Sequence, residues 1–314
     1  MNRISTASAY NQVLSNLMAA ELAQSNAGNQ LASTEKATDL KGYGAGAETL
    51  TAMQSANSQV TGLLSAATAV GAKLSTQDTA LNEVAGAAGS AIQTITQALA
   101  AGTGSGLMQG LQDALGSAVE GLNSTYNGEY MFAGGQVATQ PVTVTTLAQL
   151  TAGPPISSFF QNDQLQTTSQ INQNTTINSG FLADQVGTPL FQALQAIEAY
   201  DQGPNGPFSS PLTQAQQTFL TQQLSGLNTV QSNLNNVVAQ NGQMQGEVTN
   251  AQTDLTNRQT MLQGLIGNTT SADLAQASAN LQQAQLSIQA AGQVFQALNG
   301  ASLLNTLSPT PAIR

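Results

Sequence analysis

Leu227-Asn228-Thr229-Val230-Gln231-Ser232-Asn233-Leu234-Asn235-Asn236-Val237-Val238-Ala239-Gln240-Asn241 sets apolar rungs seven residues apart, Leu227 and Leu234, with Val230 and Val237 three residues after each. The ladder runs outward as Leu220, Leu227, Leu234, Asn241, Val248, Leu255 and Leu262, and its second set continues through Met244, Ala251, Arg258 and Leu265. These are the a and d seats of a coiled coil. The pattern predicts one helix from about Thr213 to Ile266, roughly 80 Å long at 1.5 Å per residue.

A second ladder stands in the first third, at Met53, Val60, Ala67, Leu74, Leu81, Ala88 and Ile95, with Leu63, Val70 and Val84 in its second set. Two apolar seams so far apart in sequence most simply bury each other. Asn241 occupies an a seat, where a polar residue costs stability but can fix register; a kinked, partly exposed stretch is the alternative. Arg258, at a d seat, is expected to extend its charge to solvent.

Other helices follow from the same period. Residues 5–33 carry Tyr10, Val13, Leu14, Leu17, Met18, Leu22 and Leu31 as a helical stripe, and Met108, Leu111, Leu115, Ala118 and Leu122 mark another. A further helix is expected to open at Pro189, a residue suited to a first turn. The last helix alternates Leu274, Leu281, Ile288 and Phe295 with Ala277, Ala284, Ala291 and Leu298, so large and small layers let a partner helix approach closely.

The period changes at Asn127-Gly128, a pair that tolerates positive φ at both positions and therefore signals a tight hairpin. Strand character is expected at Tyr130-Met131-Phe132 and at Pro141 to Thr145, and a Thr-, Gln- and Asn-rich stretch leads on to Gly187. The fold expected is mainly α: a long antiparallel coiled-coil helical bundle built from both chain ends, with a small inserted β domain. Residues 1–133 and 189–314 form the helical part and 134–188 the β-rich part.

Composition excludes several functions. Only 7% of the 314 residues are charged, six are Lys or Arg, and none lies between Leu74 and Asn257. Nucleic acid and anionic lipid are poor partners for such a chain, because both demand clustered cations. The chain has no Cys and no His, which removes disulfides, the usual zinc ligands and the commonest nucleophile and base pairs. No cofactor or metal is expected. Asp78 with Glu83, and Asp184 with Glu198, have no context that would pair them as acid and base, and Gly102, Gly104 and Gly106 lack the strand and Lys of a phosphate loop. Asn-x-Ser/Thr triplets at Asn123, Asn174 and Asn268 are expected by chance in so Asn- and Thr-rich a chain. Met1-Asn2-Arg3-Ile4-Ser5-Thr6 does not open a cleavable signal, so the chain is expected to be cytoplasmic or exported by a route that reads none.

Three stretches carry a family resemblance. Arg3-Ile4-Ser5-Thr6 before an amphipathic helix, Asn127-Gly128-Glu129-Tyr130-Met131-Phe132-Ala133-Gly134 followed by Gln140-Pro141-Val142, and Ala272-Asp273-Leu274-Ala275-Gln276-Ala277 with Ser302 to Leu307 resemble the bacterial flagellin superfamily, most of all its hook-filament junction branch. Its hairpin motif maps onto Asn127, Gly128, Tyr130, Phe132 and Gly134. Glu35 stands where the family usually has Gly, and Thr38 to Gly44 replaces its Pro-Ser-Asp-Asp-Pro type segment. The resemblance implies a non-enzymatic subunit, exported unfolded and assembled outside the cell with copies of itself in a ring, a hook-side junction protein and flagellin, with an export chaperone before that. The outer ends, 1–45 and 272–314, would be assembly helices poorly ordered in the monomer. The contacts it implies are Ile4, Tyr10, Leu14 and Leu17 with Leu274, Leu281, Ile288, Phe295 and Leu298. A short filament-forming flagellin, and a secreted carbohydrate-binding or adhesin protein, are the alternatives.

Overall fold

The computed structural model describes the backbone of residues 2–307 and the side chains of residues 8–300. It is mainly α-helical with two small antiparallel hairpins. In chain order it contains α1 (Asn2–Ser33), a 3-10 helix (Leu40–Gly46), α2 (Ala47–Ala101), α3 (Leu107–Leu122), β1 (Thr125–Tyr126), β2 (Glu129–Tyr130), α4 (Leu147–Thr151), a second 3-10 turn (Ile156–Phe159), β3 (Thr168–Asn172), β4 (Thr175–Asn178), α5 (Ala183–Asp201), α6 (Gln214–Thr270) and α7 (Leu274–Leu307). The chain divides into two compact units, Val60–Arg258 and the combined segments Met1–Gln59 and Gln259–Arg314, with boundaries inside α2 and α6.

In the Val60–Arg258 unit the two ladders meet. The a rungs Ala67, Leu74, Leu81, Ala88 and Ile95 of α2 and Leu220, Leu227, Leu234, Asn241, Val248 and Leu255 of α6 are all buried. Each large one contributes about 2 kcal/mol of apolar burial. The helices run antiparallel: Asn241 Nδ2 donates to the Leu74 carbonyl at 2.9 Å, and Gln252 Nε2 to the Ala67 carbonyl at 3.2 Å. Asn241 is therefore a buried cross-seam lock rather than the marker of a kink. Arg258 is exposed, as its snorkelling chemistry predicts.

Toward the other end of the seam α3 and α5 complete the core, with Leu107, Leu111, Leu115 and Leu122 packing among Leu190, Phe191, Leu194 and Ile197. Gly121 lets α3 lie directly on α2, since a Cβ there would stand 2.8 Å from the Ala80 carbonyl oxygen. This approach brings Glu120 beside Glu83, whose carboxyl is held above the usual range by burial first and by the Glu120 charge second. The β3–β4 hairpin turns Ile171 and Ile177 onto Leu74, Val248 and Ala251. Gln216, buried, organises the entry to α6: its Oε1 accepts from the Ser209 and Thr213 amides at 3.2 and 3.1 Å, and its Nε2 donates to the Asn205 and Pro207 carbonyls, both at 3.0 Å.

Several boundaries differ from the sequence expectation for visible reasons. α5 starts at Ala183, six residues before Pro189, because the Ala183 amide is already taken by the Phe132 carbonyl at 2.9 Å. Pro189 is tolerated inside the helix: the carbonyl that loses its partner belongs to Gln185, an exposed residue. Met131 and Phe132 are not strand; they turn inward, and Phe132 is fully buried. Val142 makes only an isolated bridge to Phe160. α6 runs on to Thr270, where Thr269 Oγ1 donates back to the Leu265 carbonyl at 2.9 Å.

Gln77 is wholly buried at the level of Asn241 in sequence register, and neither end of its amide has a protein partner. Gln77→Met keeps the shape and removes both polar atoms, so it should raise unfolding stability by about 1–3 kcal/mol in denaturant titrations. Glu83, with its folded pKa raised, is stabilising while protonated and loses that contribution as pH rises through the raised value. Glu83→Gln should therefore increase the melting temperature at neutral pH and leave it unchanged below the ordinary carboxylate range.

Candidate assembly surface

The unit formed by the chain's two outer segments is built on α1 and α7, which pair antiparallel. Tyr10 Oη donates to Asn299 Oδ1 at 2.6 Å, and its ring meets Phe295 edge to face at 5.6 Å. Farther along, Ala20 and Ala27 of α1 and Ala277 and Ala284 of α7 are the buried residues. The small layers thus form the seam, and Leu17, Leu281, Ile288 and Leu298 sit half-buried at its flanks. Ser271 closes the turn before α7 by bridging to Glu35, while the Lys36 amide donates to the Thr270 carbonyl at 2.7 Å and the Ala272 amide to the Thr34 carbonyl at 2.9 Å. Asp273 caps α7, accepting from the Ala275 and Gln276 amides at 3.0 Å each.

The proposed contact residues separate into two groups. Tyr10, Leu17, Leu281, Ile288, Phe295 and Leu298 take part in, or flank, the α1–α7 pairing, Phe295 while 44% exposed. Leu14 and Leu274 are 48% and 46% exposed. Ile4 lies outside the described side chains. The pairing also leaves Met18, Leu22 and Leu286 from 60% to 65% exposed. Leu14, Met18 and Leu22, four residues apart, form one apolar line along α1.

Large apolar side chains are exposed mainly in this unit. Besides the seven so far given or adjoining them on α7 (Val294), they include Leu40 and the α6 pair Met261 and Leu265; the Val60–Arg258 unit shows Leu165. Charge follows the opposite distribution. The outer segments hold five acidic and four basic residues, the Val60–Arg258 unit eleven acidic and two basic. One unit carries a marked acidic excess, and the other is nearly neutral with exposed apolar helix faces.

The hairpin motif comes together within the Val60–Arg258 unit. Asn127 and Gly128 both have positive φ, 53° and 83°, and join β1 to β2 as a two-residue turn. Tyr130 is half-buried and Phe132 anchors in the core. Gly134 has φ 68°, and a Cβ on it would stand 2.2 Å from Asp163 Oδ1. That oxygen accepts from the Gly135 and Leu165 amides at 2.8 and 2.9 Å, which holds the Asp163 carboxyl below its usual range. Asn123 works similarly at the end of α3: its amide donates to the Val142 carbonyl and accepts from the Val142 amide, both at 2.9 Å, mimicking a strand neighbour. The motif is a structural clasp, and sequence reading missed Asp163 and Asn123 because their partners lie 28 and 19 residues away.

The carboxylates considered as acid and base pairs are engaged separately. Asp184 accepts from Asn162 and Gln164 at 2.9 and 2.7 Å, Glu198 from Gln202 at 2.6 Å, and Asp78 from Asn82 at 3.1 Å. Among the described residues no group of three or more His, Cys, Asp or Glu could hold a metal ion, and no helix is long and apolar enough to cross a membrane.

The fold defines a class: mainly α proteins with small β hairpins inserted between long helices. Two solved structures are similar to it. One is a chain from Vibrio parahaemolyticus assigned as a flagellar hook-associated protein, 14% identical, with 72% of this chain and 97% of that one covered at a TM-score of 0.58. The other is FlgL from Bacillus cereus, 15% identical, covering 69% and 99% at a TM-score of 0.54. No family model matches the sequence, and no curated protein matches it.

Asp163 binds its proton less tightly when folded, so its contribution is complete above the ordinary Asp range and is lost as pH falls through the depressed value. Asp163→Ala should lower the melting temperature at pH 7, and thermal scans at descending pH should show the gap to the parent closing in acid.

Proposed function

We propose that this chain is a structural subunit of the bacterial flagellum that joins hook to filament and assembles outside the cell through α1 and α7. The observation that carries this reading is the exposed apolar line on paired terminal helices, in a fold shared with a hook-associated protein and with FlgL. A helix pair seamed by alanines buries little of its own, so its large side chains gain most from neighbouring copies. The partners are further copies in a ring, a hook-side junction protein on one side and flagellin on the other, with an export chaperone holding the terminal helices beforehand. The chemistry of the chain supports a non-enzymatic role: Asp78, Asp184 and Glu198 are each engaged by a neighbouring amide side chain, and the chain has no Cys or His.

Met18 and Leu22 test the surface without disturbing the α1–α7 seam, because both point mostly to solvent. In a strain dependent on this chain, the double variant Met18→Asp, Leu22→Asp should leave bare hooks in electron micrographs and flagellin monomer in the medium, while Leu165→Asp leaves filaments intact. Normal filaments on the double variant would refute the assignment. Long tubes grown by the purified chain alone would identify it instead as a filament-forming flagellin.

A further inference from the structure

A groove of about 370 Å³ lies within the Val60–Arg258 unit, where the β3–β4 hairpin and the start of α5 face α6. That volume falls within the range of ligand-holding clefts, about 300–1,000 Å³. One wall is Gln166, Asn178 and Gln185; the other is Gln240, Gln243 and Glu247, which share one face of α6. Between them Phe181, Val186, Val237 and Met244 supply an apolar floor. Phe181 is half-buried, leaving part of its ring available.

The first wall is held in place by its own hydrogen bonds. Asn178 Nδ2 donates to Gln166 Oε1 at 2.7 Å, and Gln166 Nε2 donates to Gln185 Oε1 at 3.4 Å. Gly180 sits so close to the strand opposite that a Cβ would stand 2.5 Å from the Thr167 nitrogen, which ties the hairpin base. The chain of amides still leaves an acceptor on Asn178 and donors on Gln185. The side chains of Gln240, Gln243 and Glu247 hold no hydrogen bond among the described residues.

We infer that this groove binds a neutral hexopyranose. Each sugar hydroxyl donates and accepts at once, and planar amides offer one group of each kind at a spacing that spans neighbouring hydroxyls. Glu247 adds a charge-assisted acceptor. The C–H face of a pyranose ring is apolar and lies on an aromatic or aliphatic floor. No Lys or Arg lines the groove, and Glu247 repels anions, so uronic and sialic acids are disfavoured. Amides abound on this chain, but those of Gln216, Asn241, Gln245 and Gln252 on α6 are engaged by the chain itself; here amides converge from three elements on one concavity.

The test uses the full chain and saturation-transfer NMR with glucose, galactose, N-acetylglucosamine and glucuronate, with glycerol as a hydroxylated control without a ring. Transfer to the ring protons of at least one neutral sugar at millimolar concentration is expected, with none to glucuronate or glycerol. Gln240→Ala combined with Glu247→Ala, two exposed positions whose loss leaves the circular dichroism unchanged, should weaken binding about tenfold or more. Phe181→Leu should reduce transfer to the C–H face. Absence of transfer from every neutral sugar at about 20 mM, equal transfer from glycerol, or undiminished binding by the double variant would overturn the inference.

Discussion

The contact between α2 and α6 inside the Val60–Arg258 unit fixes everything else in that unit. Leucines make such a seam sticky, but leucines seven residues apart look alike, and a slide by one heptad would bury nearly as much. What distinguishes one register is Asn241, whose amide donates to the Asp78 carboxylate at 3.3 Å as well as to the Leu74 carbonyl, while Gln245 also reaches Leu74 and Gln252 reaches Ala67. A slide of one heptad offers other backbone carbonyls but parts Asn241 from that side-chain partner. With register set, Gly121 meets α2 opposite Ala80, and Ile171 and Ile177 find Leu74 and Val248.

Sequence periodicity reveals interactions that repeat. The two ladders, the α1 stripe and the Asn127-Gly128 turn were all legible, because each rests on a spacing or on a local backbone preference. Single polar residues with a distant partner were not: Asp163, bonded to Gly135, and Asn123, bonded to Val142, look like scores of other polar positions in a chain this rich in carboxamides. The start of α5 was hidden for the same reason, since it is decided by the Phe132 carbonyl fifty residues upstream. On α7 the alternation of large and small rungs was legible, but the seam inverts the usual placement of bulk. Ala277 and Ala284, the small rungs, are buried, and large residues lie beside them, because a close approach of backbones excludes bulk from the axis.

That inversion connects packing to function. Alanine seams bring helices together without consuming their large side chains, so Leu14, Met18, Leu22 and Leu286 remain available to other surfaces. In the Val60–Arg258 unit the opposite choice prevails: bulk inside, and eleven acidic residues against two basic ones. Exposed apolar surface and acidic excess thus fall in different units of the chain.

The bridges from Asn241, Gln245 and Gln252 to backbone carbonyls of α2 involve no charged group. Their strength is therefore indifferent to dissolved ions, whereas an ion pair at the surface weakens once the Debye length falls to about 10 Å or less. Without His, the chain also lacks the side chain that ordinarily titrates near neutrality. Helices bridged by carboxamides therefore depend little on ionic strength for their alignment.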